Sequence, residues 1–297
     1  MNAPTAALAK PKGPIVWLDM DQQQLDDAYD QLVYAPNRDQ LTKRRAANSA
    51  AARARIGEPL RFAYGPTPIE GLDVYLSNNA AAGAAAPVAI FVHGGAWRTG
   101  SASEFTFLAE PFVRAGANFA VLDFINVDDA GGDLRPMVEQ IRRAVGFVYR
   151  NAEKLGGDRD RLYLISHSSG SYLAGCVVTH DWPSQGLPRD ILKGATLSSG
   201  MYDLKPVRLR SARNTSPSPT RRSTRCPPSG TSTSSRPRSF SVTALTKLRS
   251  SSGRRATSPP RSKLPASRSS LWSARPIIIS KCWRLWPILT AARPRGA

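Results

Sequence analysis

The chain predicts an α/β fold with a mainly parallel central sheet covered by helices on both faces. Three observations carry this. Residues 60–64 and 72–76 alternate apolar and polar side chains on either side of Gly65-Pro66, which reads as an antiparallel pair. Beyond them the pattern changes to continuous apolar runs, 87–92 and 119–124, as expected for strands buried on both faces. Stretches with helical spacing lie between and after these runs, and such alternation is the signature of a parallel sheet wrapped by helices.

Taken in order, residues 1–14 form an Ala/Pro-rich arm without periodicity. Residues 21–33 carry Leu25, Tyr29, Leu32 and Val33 at helical spacing, with Asp21 placed to cap the start. A second helix is expected over 38–56, then the antiparallel pair, then a small-residue loop over 78–86. Strand 87–92 is followed by a helix over 105–115 and strand 119–124. The segment 134–155 is amphipathic, with Met137, Ile141, Val145 and Val148 on one face, and Gly156-Gly157 ends it. A strand over 161–165, a sharp turn, a helix over 169–179 and a strand over 194–198 complete the pattern. Past Val207 no periodic signal is sustained until apolar fragments near Ile277 and Trp283.

Charge divides the 297 residues in the same place. All 22 Asp and Glu lie at or before Asp203, and 21 of the 41 Lys and Arg follow Leu204, so the net charge of +19 belongs to an acid-free Arg/Ser/Pro tail. The three cysteines, an odd number at wide spacing, suggest neither a disulfide framework nor a zinc site. No stretch reads as a signal peptide or a membrane span, which leads to the expectation of a cytoplasmic protein with no membrane partner.

The chemistry-bearing residues stand at the ends of the apolar runs. Ser168 lies in Ser166-His167-Ser168-Ser169-Gly170, directly after Leu162-Tyr163-Leu164-Ile165. A serine on a sharp strand-to-helix turn projects its hydroxyl above a sheet, provided that small residues stand two positions either side. Gly170 fills the later position, and Ser166 the earlier one, where glycine is usual. His93-Gly94-Gly95-Ala96-Trp97 follows the preceding buried strand, where a glycine-rich loop can turn backbone N–H groups toward a developing oxyanion. Ser-x-Gly alone is more often an ordinary strand-to-helix turn, and Gly94-Gly95 alone is a flexible turn. Both after buried strands and in this order point to acyl transfer.

On these motifs, together with Leu25-Asp26-Asp27-Ala28-Tyr29, Tyr34-Ala35-Pro36-Asn37 and Ser199-Gly200-Met201-Tyr202-Asp203-Leu204, residues 1–208 resemble the α/β-hydrolases of the kynurenine formamidase (arylformamidase) and esterase group. The resemblance implies an α/β-hydrolase-type three-layer sandwich that cleaves a small carboxylic ester or aryl formamide through a seryl acyl-enzyme, without cofactor or metal. It implies Ser168 as nucleophile, the N–H groups of Gly94, Gly95 and Ser169 as oxyanion donors, and Trp97 as a pocket or loop anchor. His93 then reads as a loop organiser, His167 as a packing residue and His180 as a surface or capping residue.

The group also places an acid and a histidine late in the chain, and within these 297 residues no acid follows Asp203 and no histidine follows His180. The tail, 209–297, reads as frame-shifted and disordered sequence, leaving the last third of the hydrolase domain missing. Read one base earlier, Ile277–Trp283 allows Tyr-Asn-His-Phe-Glu-Met-Leu, and Thr246–Arg254 allows Glu-Thr-Pro-Glu-Phe-Gln-Arg-Gln, which restores a histidine and acids. On this reading the chain as written is nearly inactive, with only residual rate enhancement from binding and the oxyanion hole. The alternative is a non-catalytic pseudo-hydrolase, or a polyanion binder using the basic tail. No specific nucleic-acid partner is expected, and the oligomeric state is not legible.

Overall fold

A computed structural model of the protein describes residues 13–81 and 83–210. The chain opens on a short antiparallel ribbon, β1 (Ile15–Trp17) and β2 (Met20–Asp21). Asp21 caps α1 (Gln22–Tyr29) as expected, in a capping box with Gln24. The single helix expected over 21–33 is broken at Asp30. That residue is extended, and its side chain accepts from Leu32 N at 2.9 Å to start a separate turn, α2 (Gln31–Tyr34). The face expected from spacing therefore splits: Leu25 is fully buried, whereas Leu32 and Val33 are exposed. Helix α3 (Arg38–Ile56) runs as predicted.

Strands β3 (Leu60–Ala63) and β4 (Gly71–Tyr75) pair antiparallel, in register Leu60 with Val74. The 78–86 loop contains one helical turn, α4 (Asn78–Ala81). Next come β5 (Ala86–Val92), a 3-10 segment Ala102–Leu108 running into α5 (Ala109–Arg114), and β6 (Asn118–Leu122). Helix α6 (Arg135–Arg150) is shorter than 134–155, because the chain leaves it at Asn151 and turns through a 3-10 segment to left-handed Gly156. Strand β7 (Gly157–His167), helix α7 (Ser169–Val178), strand β8 (Gly194–Ser198) and α8 (Lys205–Leu209) follow. Cys176 is buried in α7.

The main sheet has the order β3-β4-β6-β5-β7-β8. Its β5, β6, β7 and β8 are parallel neighbours, and β4 joins β6 antiparallel. The sheet is buried on both faces, and the period of two in β5 shows how. Val88, Ile90 and Val92 enter one core with Met137, Ile141 and Val145 of α6 and Leu173 and Val177 of α7. Ala89 and Phe91 enter the other with Phe105, Ala109 and Val113. The fold is thus a three-layer α/β sandwich, as the sequence predicted. The tail expected from 209 onward lies, beyond Arg210, outside the described residues.

Between α3 and α5 the sandwich is tied at Glu110. Its carboxylate accepts from Arg55 at 2.9 and 2.6 Å and from Arg114 at 2.8 Å, which holds its pKa down at about 2 despite partial burial. A depressed carboxylate contributes stability above its unfolded pKa of about 4.3 and loses it as pH falls toward the folded value. Glu110→Gln is accordingly expected to lower the urea midpoint at pH 7, and the difference from wild type should vanish as pH approaches 2.

Candidate active site

Three loops meet at the carboxyl ends of β5, β6 and β7, the edge at which parallel sheets bind ligands. Ser168 sits between β7 and α7 with φ 56° and ψ −129°, a left-handed conformation that non-glycine residues rarely adopt. Hydrogen bonds hold it there: Ser168 N donates to Ser198 O at 2.9 Å, and Ser171 N to Ser168 O at 2.9 Å. The reason for Gly170 is steric. A Cβ there would press into the carbonyl oxygens of Val92 and His93, so the helix can lie against the end of β5 only without a side chain. Ser166, standing where glycine is usual, is buried with its hydroxyl partnered. It donates to Ser171 Oγ at 3.1 Å, and Ser171 Oγ in turn donates to Ser198 O at 2.8 Å.

The loop after β5 is built against this turn. Gly94 is needed for close approach: a Cβ on it would lie 2.9 Å from both His167 O and Ser168 Cβ. Gly95 has φ 126°, and Ala96 and Trp97 follow at φ 55° and 64°, so the loop continues in left-handed backbone past the two glycines. The carbonyl of Gly95 accepts from Arg98 N at 3.0 Å and Thr99 N at 3.1 Å. The N–H groups of Gly94 and Gly95 have no protein acceptor among the described residues. Ser169 N opens the first turn of α7, where an N–H has no intrahelical partner and the helix dipole is positive. Ser169 Oγ accepts from Trp97 N at 3.2 Å and so joins loop to turn.

His93 sets the orientation of the loop. Its ring lies between Phe124, at a centroid distance of 4.4 Å, and Phe105, at 5.4 Å. Nδ1–H donates to Gly94 O at 2.8 Å. Burial pushes the imidazole pKa down, against the opposing pull of that carbonyl, so the ring is neutral. The Gly94 carbonyl and the Gly95 N–H belong to one planar peptide and point opposite ways, so fixing the first aims the second.

A cavity of about 390 Å³ opens beside the loop, with Gly94 and Ser169 in its wall. Its apolar lining includes Ile69, Trp97, Phe124, Ile125 and Leu173, and Arg98, Asn126 and Asp129 supply polar groups. Trp97 is buried, packs edge-on against Tyr172 and accepts from Val127 N at 2.8 Å, which makes it both wall and anchor. The structure thus brings Ser168, Gly94, Gly95, Ser169 and Trp97 to one place. Sequence reading missed the wall contributed by residues 67–69 and 124–126. The signal for 124–126 was present, because they follow directly on a buried strand of a parallel sheet. The 67–69 turn comes near only because β4 adds antiparallel to β6.

Neither a histidine nor a carboxylate hydrogen-bonds the Ser168 hydroxyl among the described residues. His180 packs edge-on against Trp182 at 4.9 Å beyond the far end of α7. No group of metal-binding side chains occurs among the described residues, and none of their helices is long and apolar enough to cross a membrane.

Comparison with known proteins shows what this chain is similar to. Residues 72–184 match the family model described as BD-FAE. Kynurenine formamidase of Danio rerio is 34% identical over 197 residues, and that of Salmo salar 32% over 198, in each case covering 64% of this chain. The chain spans 64% of the length of each of these relatives. A solved structure from Silicibacter sp., described as a thioesterase, superposes with a TM-score of 0.54 at 23% identity, over 64% of this chain and 68% of its own, which shows the shared fold.

The packing at the turn makes a testable statement. Gly170→Ala should destabilise the chain by about 1–3 kcal/mol through overpacking against backbone that cannot yield. Ser166→Gly should cost only about 0.5–1 kcal/mol, mostly through unfolded-state entropy. Chemical denaturation of the two variants beside wild type measures both.

Proposed function

We propose that this chain, an α/β sandwich similar to kynurenine formamidases and esterases, belongs to a lineage hydrolysing a small carboxylic ester or aryl formamide through a seryl acyl-enzyme. One observation carries the proposal: a serine held at φ 56° at the start of a helix, beside a loop whose Gly94 and Gly95 N–H groups have no protein acceptor among the described residues. In the proposed reaction Ser168 Oγ attacks the substrate carbonyl. The N–H groups of Gly94, Gly95 and Ser169 receive the oxyanion, and preorganised donors of this kind contribute about 3–4 kcal/mol each to transition-state stabilisation. The mainly apolar cavity accepts one substituent of the substrate against Trp97. The relatives' names support both substrate classes, since some are kynurenine formamidases and others are methylesterases.

Ordinary turnover needs a base held by an acid. We propose that the acid-free tail is a shifted reading of the segment that carries them, with the break near residues 209–211. DNA sequence across codons 205–215 in an independent clone tests this. A one-base difference that restores the late acid and histidine supports it, and the unchanged frame removes it. In the restored chain, Ser168→Ala should lower kcat/KM on p-nitrophenyl acetate or formanilide by about 10⁴-fold or more. Retention of full activity would rule Ser168 out as nucleophile, and the ratio of the two substrates would decide ester against formamide. The 21 basic residues after Leu204 favour a second reading, non-catalytic binding of polyanions. It predicts an unchanged frame and steeply salt-dependent binding of RNA.

A further inference from the structure

Resting on the reading that the cavity receives one substituent of the substrate, we propose that Glu70, Arg143 and Gln140 are positioning residues that hold two of its walls in place and so set its selectivity for substituent size. The walls are the turn 67–69 and the segment 124–126. They belong to different strands, since 67–69 joins β3 to β4 and 124–126 follows β6. None of the three positioning residues lines the cavity itself.

Thr67, Pro68 and Ile69 are all exposed, so core packing does not fix the first wall. Polar contacts to Glu70 do. Glu70 is buried, and one of its carboxylate oxygens accepts from Thr67 N at 3.0 Å and from Thr67 Oγ1 at 2.7 Å. The other accepts from Arg143 of α6. Gly65 leaves room for the carboxylate, because a Cβ there would lie 2.1 Å from Glu70 Oε1. Burial pushes the Glu70 pKa up, but the Thr67 hydrogen bonds and the Arg143 charge together hold it below its ordinary value, so the group is ionised at pH 7. A buried carboxylate is stable only with its partners in place, and this requirement locks the turn to Arg143.

The second wall hangs on the same helix. Gln140, buried on α6, accepts from Ile125 N at 2.7 Å. Gln140 and Arg143 stand three residues apart and are neighbours on one helix face. Helix α6 is itself seated in the core through Met137, Ile141 and Val145. Both walls thus take their position from one rigid element that does not touch the substrate. A mainly apolar pocket distinguishes substituents by shape, and only as far as its walls are held from behind. Releasing Glu70 frees the exposed turn and leaves the Ser168 turn and the Gly94-Gly95 loop as they are.

The test uses the full chain and equilibrium binding of two aryl formamides, p-fluoroformanilide and its fluorobiphenyl analogue, one ring longer, read by fluorine NMR. Wild type should bind the shorter probe about tenfold or more tightly. Glu70→Gln and Arg143→Met should each bring the two affinities within about threefold, by weakening the shorter probe and admitting the longer. Arg143→Lys keeps the charge beside Glu70 and should retain the wild-type ratio. Loss of folded protein would weaken both probes together and leave the ratio alone. Thr67→Val, at an exposed position, removes one donor to Glu70 and should shift the ratio the same way, which keeps the test independent of folding; circular dichroism checks each variant. A wild type without preference for the shorter probe, or folded Glu70→Gln and Thr67→Val with the wild-type ratio, overturns the proposal. Folded wild type that binds neither probe, or binding that Ile69→Trp leaves unchanged, overturns the cavity reading beneath it.

Discussion

A serine held in left-handed backbone is the constraint around which the rest of this structure is arranged. The conformation of Ser168 costs about 1–3 kcal/mol and persists only where the surroundings over-determine it. Here they do so from three sides. From β8, the Ser198 carbonyl accepts from Ser168 N and from Ser171 Oγ. Gly170 lets α7 lie against the carbonyls of Val92 and His93 at the end of β5. Beneath the turn, the Ser166 and Ser171 hydroxyls satisfy one another. That last contact explains how serine is accommodated where glycine is usual: its Oγ is small enough to fit and is given partners once buried.

The strain of the turn is matched by order in the loop that faces it. Arg45, Phe105, His93 and Phe124 form a stacked column running from α3 to the end of β6, with the neutral imidazole at its centre. The column fixes His93, His93 fixes the Gly94 carbonyl, and the planar peptide then fixes the Gly95 N–H. Ser169 Oγ closes the arrangement by binding Trp97 N. Four segments distant in sequence thus converge on the direction of one N–H group, the kind of preorganisation on which electrostatic stabilisation depends.

Elements whose boundaries rest on local chemistry were legible before the fold. The strand periods of β5 and β6, the α3 helix, the amphipathic face of α6 and the capping box at Asp21 follow from burial pattern and backbone satisfaction, and all appear at or within a few residues of the expected places. The break at Asp30 was not legible. Helical spacing continued through it, and a side chain capping the next turn overrode the period. Leu32 and Val33 accordingly lie exposed where spacing alone would have buried them.

The candidate site divides in the same way. Sequence alone determined that Ser168, Ser169, Gly94, Gly95 and Trp97 would stand at the ends of neighbouring buried strands, because a strand-to-helix turn with small residues around a serine admits few conformations. Tertiary structure alone decided what each glycine is for. Gly94 makes room for the backbone of His167 and the side chain of Ser168, Gly95 supplies a left-handed φ, and Gly170 yields to two carbonyls of another strand. It alone decided that residues 67–69 and 124–126 wall the cavity. The physical reason is that propensity and periodicity act through neighbours in the chain. Steric exclusion, ring stacking and the aim of a peptide plane depend on residues brought together from α3, β5, β6 and β7.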